Sequence, residues 1–369
     1  MHPDFYRYGF HRVLSPKGQP PQSAWSLDAS LPIHPHEILI KVDQLHLDST
    51  SFRQLYENAR YDVDSVQKAV LALVEERGKM HNPITNSGGM LLGEVIEMGS
   101  NYHRFPFHRG DRIASLVSLT LTPLHLDQIL NIDPSNGQMK VKGHAIFFES
   151  SLLTLMPSDL PESVALAIFD ICGAPALVKK HCQKNQQILL VGAGKSSKLS
   201  AAALREVFQN KIFIAAIDSS KEALQEMQDL DLVDEVFVCD ATSLVGAQRE
   251  QVHVVPTNEG LMNHAPTSKA FFDLPLSNRF DRVINLTNVP GTEMLSLLAV
   301  KEFGTVLFFG MATQFSKAVL GLEGIGKDAH LLMGSGYTQG HAEDAIELVR
   351  KNIKLKNWMI QKFHSGRSL

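Results

Sequence analysis

The chain reads as an α/β protein in two parts, a β-rich first part and a doubly wound parallel-sheet second part. Three observations carry this reading. The first is residues 188–218, ILLVGAGKSSKLSAAALREVFQNKIFIAAID, where an apolar run stops at Gly192 and Gly194 and an amphipathic helical pattern starts at once. A second apolar run, Ile212 to Ile217, then ends on Asp218. The second observation is a change of texture at Pro157, from strands and turns to β/α alternation. The third is a set of later apolar runs that each end in polar residues, the habit of parallel strands.

Taken in order, residues 1–50 read as short strands and turns, with EILIKVDQLHL (37–47) the clearest strand. From Ser51 to Met80 the pattern is helical, because Val63, Val66, Val70, Leu73 and Val74 recur at helix spacing among charges. NPITNSGGMLLGEVIEMGSN (82–101) is a glycine-rich turn feeding a strand. Residues 107–124 resume β structure, and AIFFESSLLTLM (145–156) adds a strand before Pro157. A helix-like SVALAIFDICGAPALVKKH precedes the Gly-x-Gly unit. Residues 233–240, 280–287 and 304–311 are the further parallel strands, and 243–279 an irregular crossover with an insertion. After Thr313 come glycine-rich turns and a helix at 342–352.

At 369 residues there is material for two substantial cores. A net charge of −4 argues against nucleic acid or an anionic membrane surface as partner. No apolar run approaches a membrane span, and the opening MHPDFYRYGF is no signal peptide, so a cytoplasmic protein is expected. Cys172, Cys182 and Cys239 are too few and too scattered for a disulfide frame or a four-cysteine zinc lobe. Sixteen histidines are dispersed, with His34-Pro-His36 the only tight pair.

A strand, a glycine turn and a helix N-terminus together offer close backbone approach, free N–H groups and the positive end of a helix dipole, all suited to a pyrophosphate. Lys195, Ser196 and Ser197 complete the turn, and Lys195 is placed to meet the pyrophosphate. Gly194-Lys195-Ser196 imitates the end of a triphosphate loop, but the opening glycine would have to be residue 189, which is Leu189 inside the strand. Asp218 lies 21 residues beyond Ser197, where a carboxylate meets ribose hydroxyls. With Ser219 following, it favours NAD over NADP, since a 2′-phosphate would face a carboxylate. Asp240 and Ala241, Leu286 and Thr287, and Gly310 and Met311 stand at strand ends and should line the crevice.

The layout resembles the medium-chain dehydrogenase/reductase superfamily. Gly93-Glu94-Val95-Ile96-Glu97-Met98-Gly99 and Phe107-His108-Arg109-Gly110-Asp111-Arg112-Ile113 are similar to two of its local segments. The resemblance implies a GroES-like catalytic domain over 1–157, with a helical insertion at about 52–80. It further implies a Rossmann dinucleotide-binding domain over 158–313 and a return to the catalytic domain over 314–369. Residues 76–90, ERGKMHNPITNSGGM, narrow it, together with Ser115–Leu124, Gly173-Ala174-Pro175-Ala176, Gly194-Lys195-Ser196, the late run 321–328 and Gly336-Tyr337. These resemble the L-erythro-3,5-diaminohexanoate dehydrogenases, with Ser197, Asn86 and Cys172 as mild departures. That family implies oxidative deamination of C3 of a diamino acid in lysine fermentation with a nicotinamide cofactor. The product would be 5-amino-3-oxohexanoate with ammonia. A zinc-free quinone or enoyl reductase, or a non-catalytic dinucleotide-binding protein, are the alternatives on this fold.

Zinc-dependent members of the superfamily carry a cysteine just after the strand at 37–47, then a Gly-His-Glu triplet. Here those places read Leu47-Asp48-Ser49-Thr50-Ser51 and Gly88-Gly89-Met90, so no catalytic zinc is expected. Zinc stabilises a developing alkoxide, whereas removing hydride from an amine-bearing carbon develops a cationic iminium that a carboxylate would stabilise. The candidate catalytic acids are Asp48, about where the metal-binding cysteine would stand, Asp170, an acid in an otherwise apolar helix-like run, and Glu149, which closes an apolar run. Glu323, in the late glycine-rich segment, is a further acid near the substrate. Arg77, Lys79 and Lys327 are the candidate cations for the substrate carboxylate, and His81 and Tyr337 candidate proton carriers. Superfamily analogy adds a homodimer or homotetramer.

Overall fold

The computed structural model describes residues 3–116, 118–244, 255–256, 271–334 and 336–364, so most of the expected insertion at 243–279 lies outside the described residues. The chain divides into two units, Met1–Asp170 with Lys362–Leu369, and Ile171–Gln361. Among the described residues no helix is long and apolar enough to cross a membrane.

In the first unit β1 (Val13–Ser15) pairs with β2 (Ser26–Leu27). A six-stranded antiparallel sheet follows, built from β3 (Glu37–His46), β4 (Met90–Met98), β5 (Arg112–Ser115), β6 (Leu124–Asp133), β7 (Gln138–Phe148) and β8 (Leu153–Leu155). The strand order is β6-β7-β3-β4-β5-β8. Its helices are α1 (Pro3–Arg7), α2 (Ser49–Asn58), α3 (Val63–Arg77) and α4 (Glu162–Phe169). The expected helical stretch is thus two helices. The α3 stripe packs as its spacing predicts, with Val66, Val70 and Val74 buried against the sheet, each contributing about 1.5–3 kcal/mol. Asp62 caps α3 by accepting the Ser65 N–H at 2.9 Å. Gly78 ends it in the left-handed region, where a Cβ would lie 1.9 Å from the Leu27 carbonyl oxygen.

An irregularity in β3 decides where the site lies. Ile38, Ile40 and Val42 alternate into the core, but both pairings of β3 shift register between Val42 and Gln44. Beyond this bulge it is Leu45 and Leu47 that enter the core, so Gln44 and His46 turn to the other face. That face is covered by α4. Gln44 Nε2 donates to Gln138 Oε1 at 2.7 Å, Gln138 Nε2 donates to the Ser163 carbonyl at 3.2 Å, and Arg112 joins Asp43 to Glu162, the latter at 2.8 Å. These bonds dock α4 on the antiparallel sheet, which is why the first unit runs on to Asp170 instead of ending at 157.

The second unit contains β9 (Gln187–Val191), β10 (Phe213–Asp218), β11 (Glu235–Val238), β12 (Val255–Pro256), β13 (Phe280–Asn285), β14 (Val300–Phe308) and β15 (His330–Met333). Its helices are α5 (Gly173–His181), α6 (Lys195–Phe208), α7 (Lys221–Asp229), α8 (Glu293–Ala299), α9 (Phe315–Ile325), α10 (His341–Lys351) and α11 (Ile353–Phe363), the last reaching the boundary. The sheet order is β12-β11-β10-β9-β13-β14-β15, parallel apart from β12. Its six parallel strands have the doubly wound order 3-2-1-4-5-6. The segment expected to return to the catalytic domain from 314 instead supplies the sixth parallel strand, β15, whose pairing with β14 extends this sheet. Only Lys362–Leu369 falls in the first unit. The late glycine-rich run, expected as turns, is largely the helix α9.

The start of β3 is held by a buried charge cluster. Arg12 and Glu37 are 2% and 0% exposed. Arg12 donates Nε to Oε1 at 2.8 Å and Nη2 to Oε2 at 2.7 Å, and His11 Nε2 lies 2.6 Å from Oε1. His34 joins the group, within 4.8 Å of its donor atoms, but the carboxylate is already engaged by the guanidinium. Burial alone would raise the Glu37 carboxyl, yet the Arg12 and His11 bonds overcome it and hold it at about 2. The unfolded chain takes up that proton near 4.5. Glu37 therefore stabilises the fold fully above that value, and the contribution is lost as pH falls through about 2. Glu37→Gln should cost about 3–5 kcal/mol at neutral pH by leaving Arg12 buried without its counter-charge. Melting curves across the acid range should show the gap between variant and wild type shrinking as pH falls from 4.5 to 2; a constant gap would contradict the assignment.

Candidate functional site

In the second unit the Gly-x-Gly turn sits where the sequence puts it. Gly192 follows β9 with φ of 99°, a conformation glycine adopts freely, and Gly194 is the N-cap of α6. Lys195 and Ser196 open α6, so the N–H groups of its first turn lie at the end of β9. Gly192 stands against Thr287, the distance to Thr287 Cβ being 3.5 Å from where a side chain would begin. This is the switch point, between β9 and β13. Gly310 is packed on the Thr287 carbonyl oxygen, 2.1 Å from its would-be Cβ, so Leu286, Thr287, Gly310 and the exposed Met311 form one rim.

Asp218 ends β10 beside the turn. One carboxylate oxygen accepts the Ala193 N–H at 2.7 Å and the other the Ser220 N–H at 2.8 Å. Each oxygen keeps a further lone pair for a hydroxyl donor. Ser219 is exposed next to it. Asp240, at the end of β11, is exposed and folds into its own turn, accepting from the Thr242 N–H and Oγ1, with Ala241 half-buried between them. Ser197 is the exception among the expected cofactor residues. It is 1% exposed, with a buried hydroxyl, and occupies the place of a third glycine where helix meets sheet rather than lining the crevice. Behind it lies Lys198, also buried, which sequence reading overlooked: its Nζ donates to the Ala193 carbonyl at 2.5 Å and pairs with Glu226 at 3.0 Å, fastening the turn from below.

In the first unit the resemblance motifs converge on the last residues of β3. A Cβ on Gly89 would lie 2.2 Å from the His46 carbonyl oxygen, and one on Gly88 2.2 Å from the Met80 carbonyl oxygen and 2.7 Å from the Thr120 nitrogen. Gly88 N–H donates to Ser118 Oγ at 3.1 Å and Leu91 N–H to Ser115 Oγ at 3.0 Å, so the Ser115–Leu124 motif braces the Ser87-Gly88-Gly89-Met90 turn. Ser51 Oγ and Thr85 Oγ1 lie 2.5 Å apart, and Asn82 Nδ2 donates to Gln54 Oε1 at 2.7 Å, clasping the same turn to α2. Asp48 is the N-cap of α2 through its Oδ1 and the Ser51 N–H, at 2.9 Å.

Asp170 follows α4 and reaches the same place. Its Oδ2 is 3.7 Å from His46 Nε2. His46 is 2% exposed, and neither ring nitrogen has a hydrogen-bond partner. Leaving such a group unsatisfied costs about 1–3 kcal/mol. His46 is absent from the sequence-derived residues because a histidine near the end of an apolar strand carries no signal of its own; only the bulge turns it outward.

Glu149 does not join Asp48 and Asp170. Phe148 pairs with Glu37 and Gln138 with His46, which places Glu149 at the opposite end of β3, about 30 Å away at the rise of an extended strand. There its charge adds to the burial that raises the Tyr102 phenol. The expected substrate cations are also committed elsewhere, each to backbone carbonyls. Arg77 donates to Trp25 O and His81 O at 3.0 and 2.9 Å and stacks on the Trp25 ring. Lys79, 0% exposed, donates to Pro21 O at 2.8 Å and Gln22 O at 3.2 Å, and burial lowers its amine to about 8. Lys327 donates to Leu297 O and Val300 O, both at 2.7 Å, closing the end of α8. Glu323 is exposed on α9, in the second unit. His81 bonds Arg77 through Nδ1 at 3.1 Å, and Tyr337 packs edge-on against His341 beside the close Gly173–Gly336 backbone contact.

Several known proteins are similar to this chain. The L-erythro-3,5-diaminohexanoate dehydrogenase N-terminal domain matches residues 11–157. L-erythro-3,5-diaminohexanoate dehydrogenase of Fusobacterium nucleatum subsp. nucleatum is 40% identical over 353 residues, 95% of this chain and 96% of that protein. The protein of the same name from Acetoanaerobium sticklandii is 37% identical over 348 residues, 94% of this chain and 95% of its own. Among solved structures, AibC superposes with a TM-score of 0.50 at 15% identity, covering 87% of this chain and 80% of its own. CurK enoyl reductase does so with 0.50 at 11%, covering 91% and 92%; both speak to the fold alone. By its identity to these relatives over nearly its whole length, the chain belongs to the L-erythro-3,5-diaminohexanoate dehydrogenase family.

Proposed function

We propose that this protein oxidatively deaminates L-erythro-3,5-diaminohexanoate at C3, giving 5-amino-3-oxohexanoate and ammonia, with NAD as the hydride acceptor. The observation that carries this reading is its identity of 37% and 40% to two relatives of that name over 94% and 95% of the chain. The Gly192–Asp218 unit fits the cofactor. Gly192, Gly194, Lys195 and Ser196 would hold its pyrophosphate at the start of α6, and Asp218 its adenosine ribose. Held there, the cofactor would supply the acceptor for the hydride of C3.

The rest falls to the chain's own acids. Before hydride leaves, the C3 ammonium must lose a proton, and a carboxylate can take it. As hydride leaves, positive charge develops on the C3–N unit, which Asp48 and Asp170 would stabilise. A carboxylate then activates the water that adds to C3, and ammonia departs with the proton returned to it. The groups at the end of β3 support a zinc-independent course: Asp48 stands after the strand and Gly89-Met90 in the turn, where a zinc site of this superfamily would need cysteine, histidine and glutamate.

Purified protein supplied with the diamino acid and NAD should form NADH and release ammonia in equal amounts, and treatment with a metal chelator should leave the rate within twofold. Quinone reduction without diamino-acid turnover would instead favour a reductase. Asp170→Asn and Asp48→Asn, the second retaining a capping side chain, should each lower kcat/KM by about a hundredfold, the scale of a lost general base. Full activity in both would remove the acids from the mechanism.

Fluorescence titration should give tighter binding of NADH than of NADPH. Asp218→Asn should weaken NADH by about tenfold to a hundredfold, the worth of a charge-assisted hydrogen bond, and narrow the preference. Tighter NADPH binding by the wild type would overturn the assignment of Asp218.

A further inference from the structure

His46 has no part in the chemistry written so far, yet it is the most unusual buried group in the first unit. It lies at the last position of β3, 2% exposed, with Nδ1 and Nε2 both lacking a hydrogen bond. Gln44, two residues earlier on the same face, is fully used: it donates to Gln138 and accepts from Lys140 Nζ at 2.6 Å. The polar layer under α4 is therefore closed up to His46 and left open there. The β3 bulge turns this imidazole away from the apolar core, and bulges re-aim side chains beside active sites. Its Nε2 is aimed at Asp170 Oδ2, 3.7 Å away. Closing that gap to a hydrogen bond takes a side-chain movement of about 0.5–1 Å.

We propose that His46 is the positioning and proton-holding partner of Asp170. This rests on the deaminase reading given above. Asp170, with 15% of its side chain exposed against 3% for His46, is the member of the pair a substrate can touch. In the proton step the N–H bond of the C3 ammonium breaks and the proton bonds to an Asp170 carboxylate oxygen. It then passes from Asp170 to His46 Nε2, leaving an imidazolium next to a restored carboxylate. The carboxylate is thereby negative again when the iminium forms, and the pair has gained one positive charge as the substrate nitrogen lost one. Return of the proton by the same route serves the departing ammonia. A carboxylate alone cannot stay protonated and negative at once; an imidazole behind it removes that conflict.

The other charged or titratable groups around this layer are Asp48, two residues beyond His46, and Lys140 on β7. Glu162 on α4 is paired with Arg112, and His364, which follows α11, lies 3.5 Å from Ser163 Oγ.

Two measurements on the full chain test the pair. In the first, the imidazole resonances are followed by NMR against pH in wild type and Asp170→Asn, with His46 assigned by its loss in His46→Gln. The His46 midpoint should fall by at least one pH unit in Asp170→Asn; an unchanged midpoint overturns the pair. In the second, His46→Gln and His46→Asn are assayed with NAD and the diamino acid. We expect kcat to fall at least tenfold with KM within twofold, and the acid limb of the kcat–pH profile to move. A profile of unchanged shape in a folded variant overturns the proton-holding role. The NMR arm uses no substrate, so coupled midpoints without any diamino-acid turnover would sink the activity reading and leave the His46–Asp170 pair standing.

Discussion

The close backbone contact between the Gly88-Gly89 turn and the end of β3 is the constraint on which the candidate active site depends. A Cβ on Gly89 would fall 2.2 Å from the His46 carbonyl oxygen and one on Gly88 2.2 Å from that of Met80. The turn can therefore fit between the end of β3 on one side and Met80 and Thr120 on the other only because both residues lack side chains. The serines of the Ser115–Leu124 motif then hold the turn's N–H groups, and Ser51, Thr85, Gln54 and Asn82 fasten it to α2. Asp48 is fixed as the cap of that helix. Two sequence motifs that look independent along the chain, together with the start of α2, thus build one shelf beside His46 and Asp48.

The second unit works by a different economy. Its switch point follows from strand order, and the turn residues at the ends of β9, β13 and β14 meet there through backbone atoms. Asp218 serves the turn as well as standing beside it, since its carboxylate holds the Ala193 N–H. Lys198 binds the carbonyl of that same residue from the buried side. The turn is preorganised by side chains of both charges, which reduces the ordering cost a ligand would otherwise meet.

The cations show why charge is a poor guide to a site when read along the chain. Arg77, Lys79 and Lys327 stand inside family motifs, yet each spends its donors on carbonyl oxygens at helix ends or in the N-terminal loop. A long basic side chain can reach any of several carbonyls, and burial makes such bonds valuable. Glu149 illustrates the same limit for acids: an apolar run ending in glutamate fixes a strand end, but not which end of the sheet that will be.

Periodicity and turn chemistry were enough to read β3, α3, the Gly-x-Gly unit and Asp218, and local motifs were enough to place the chain in its family. These signals are local because hydrogen-bonding geometry repeats every 2 or 3.6 residues and a glycine turn declares itself over three or four. Tertiary structure alone decided the rest. It placed residues 314–361 in the second unit, where β15 finds its partner in β14, and it separated Glu149 from Asp48 and Asp170 by the length of a strand. It also turned His46 out of the core and toward Asp170, because the register shift between Val42 and Gln44 reverses the facing of everything after it. A bulge leaves no mark in composition or spacing that distinguishes it from an unbroken strand; it exists only in the pairing of β3 with both of its neighbours.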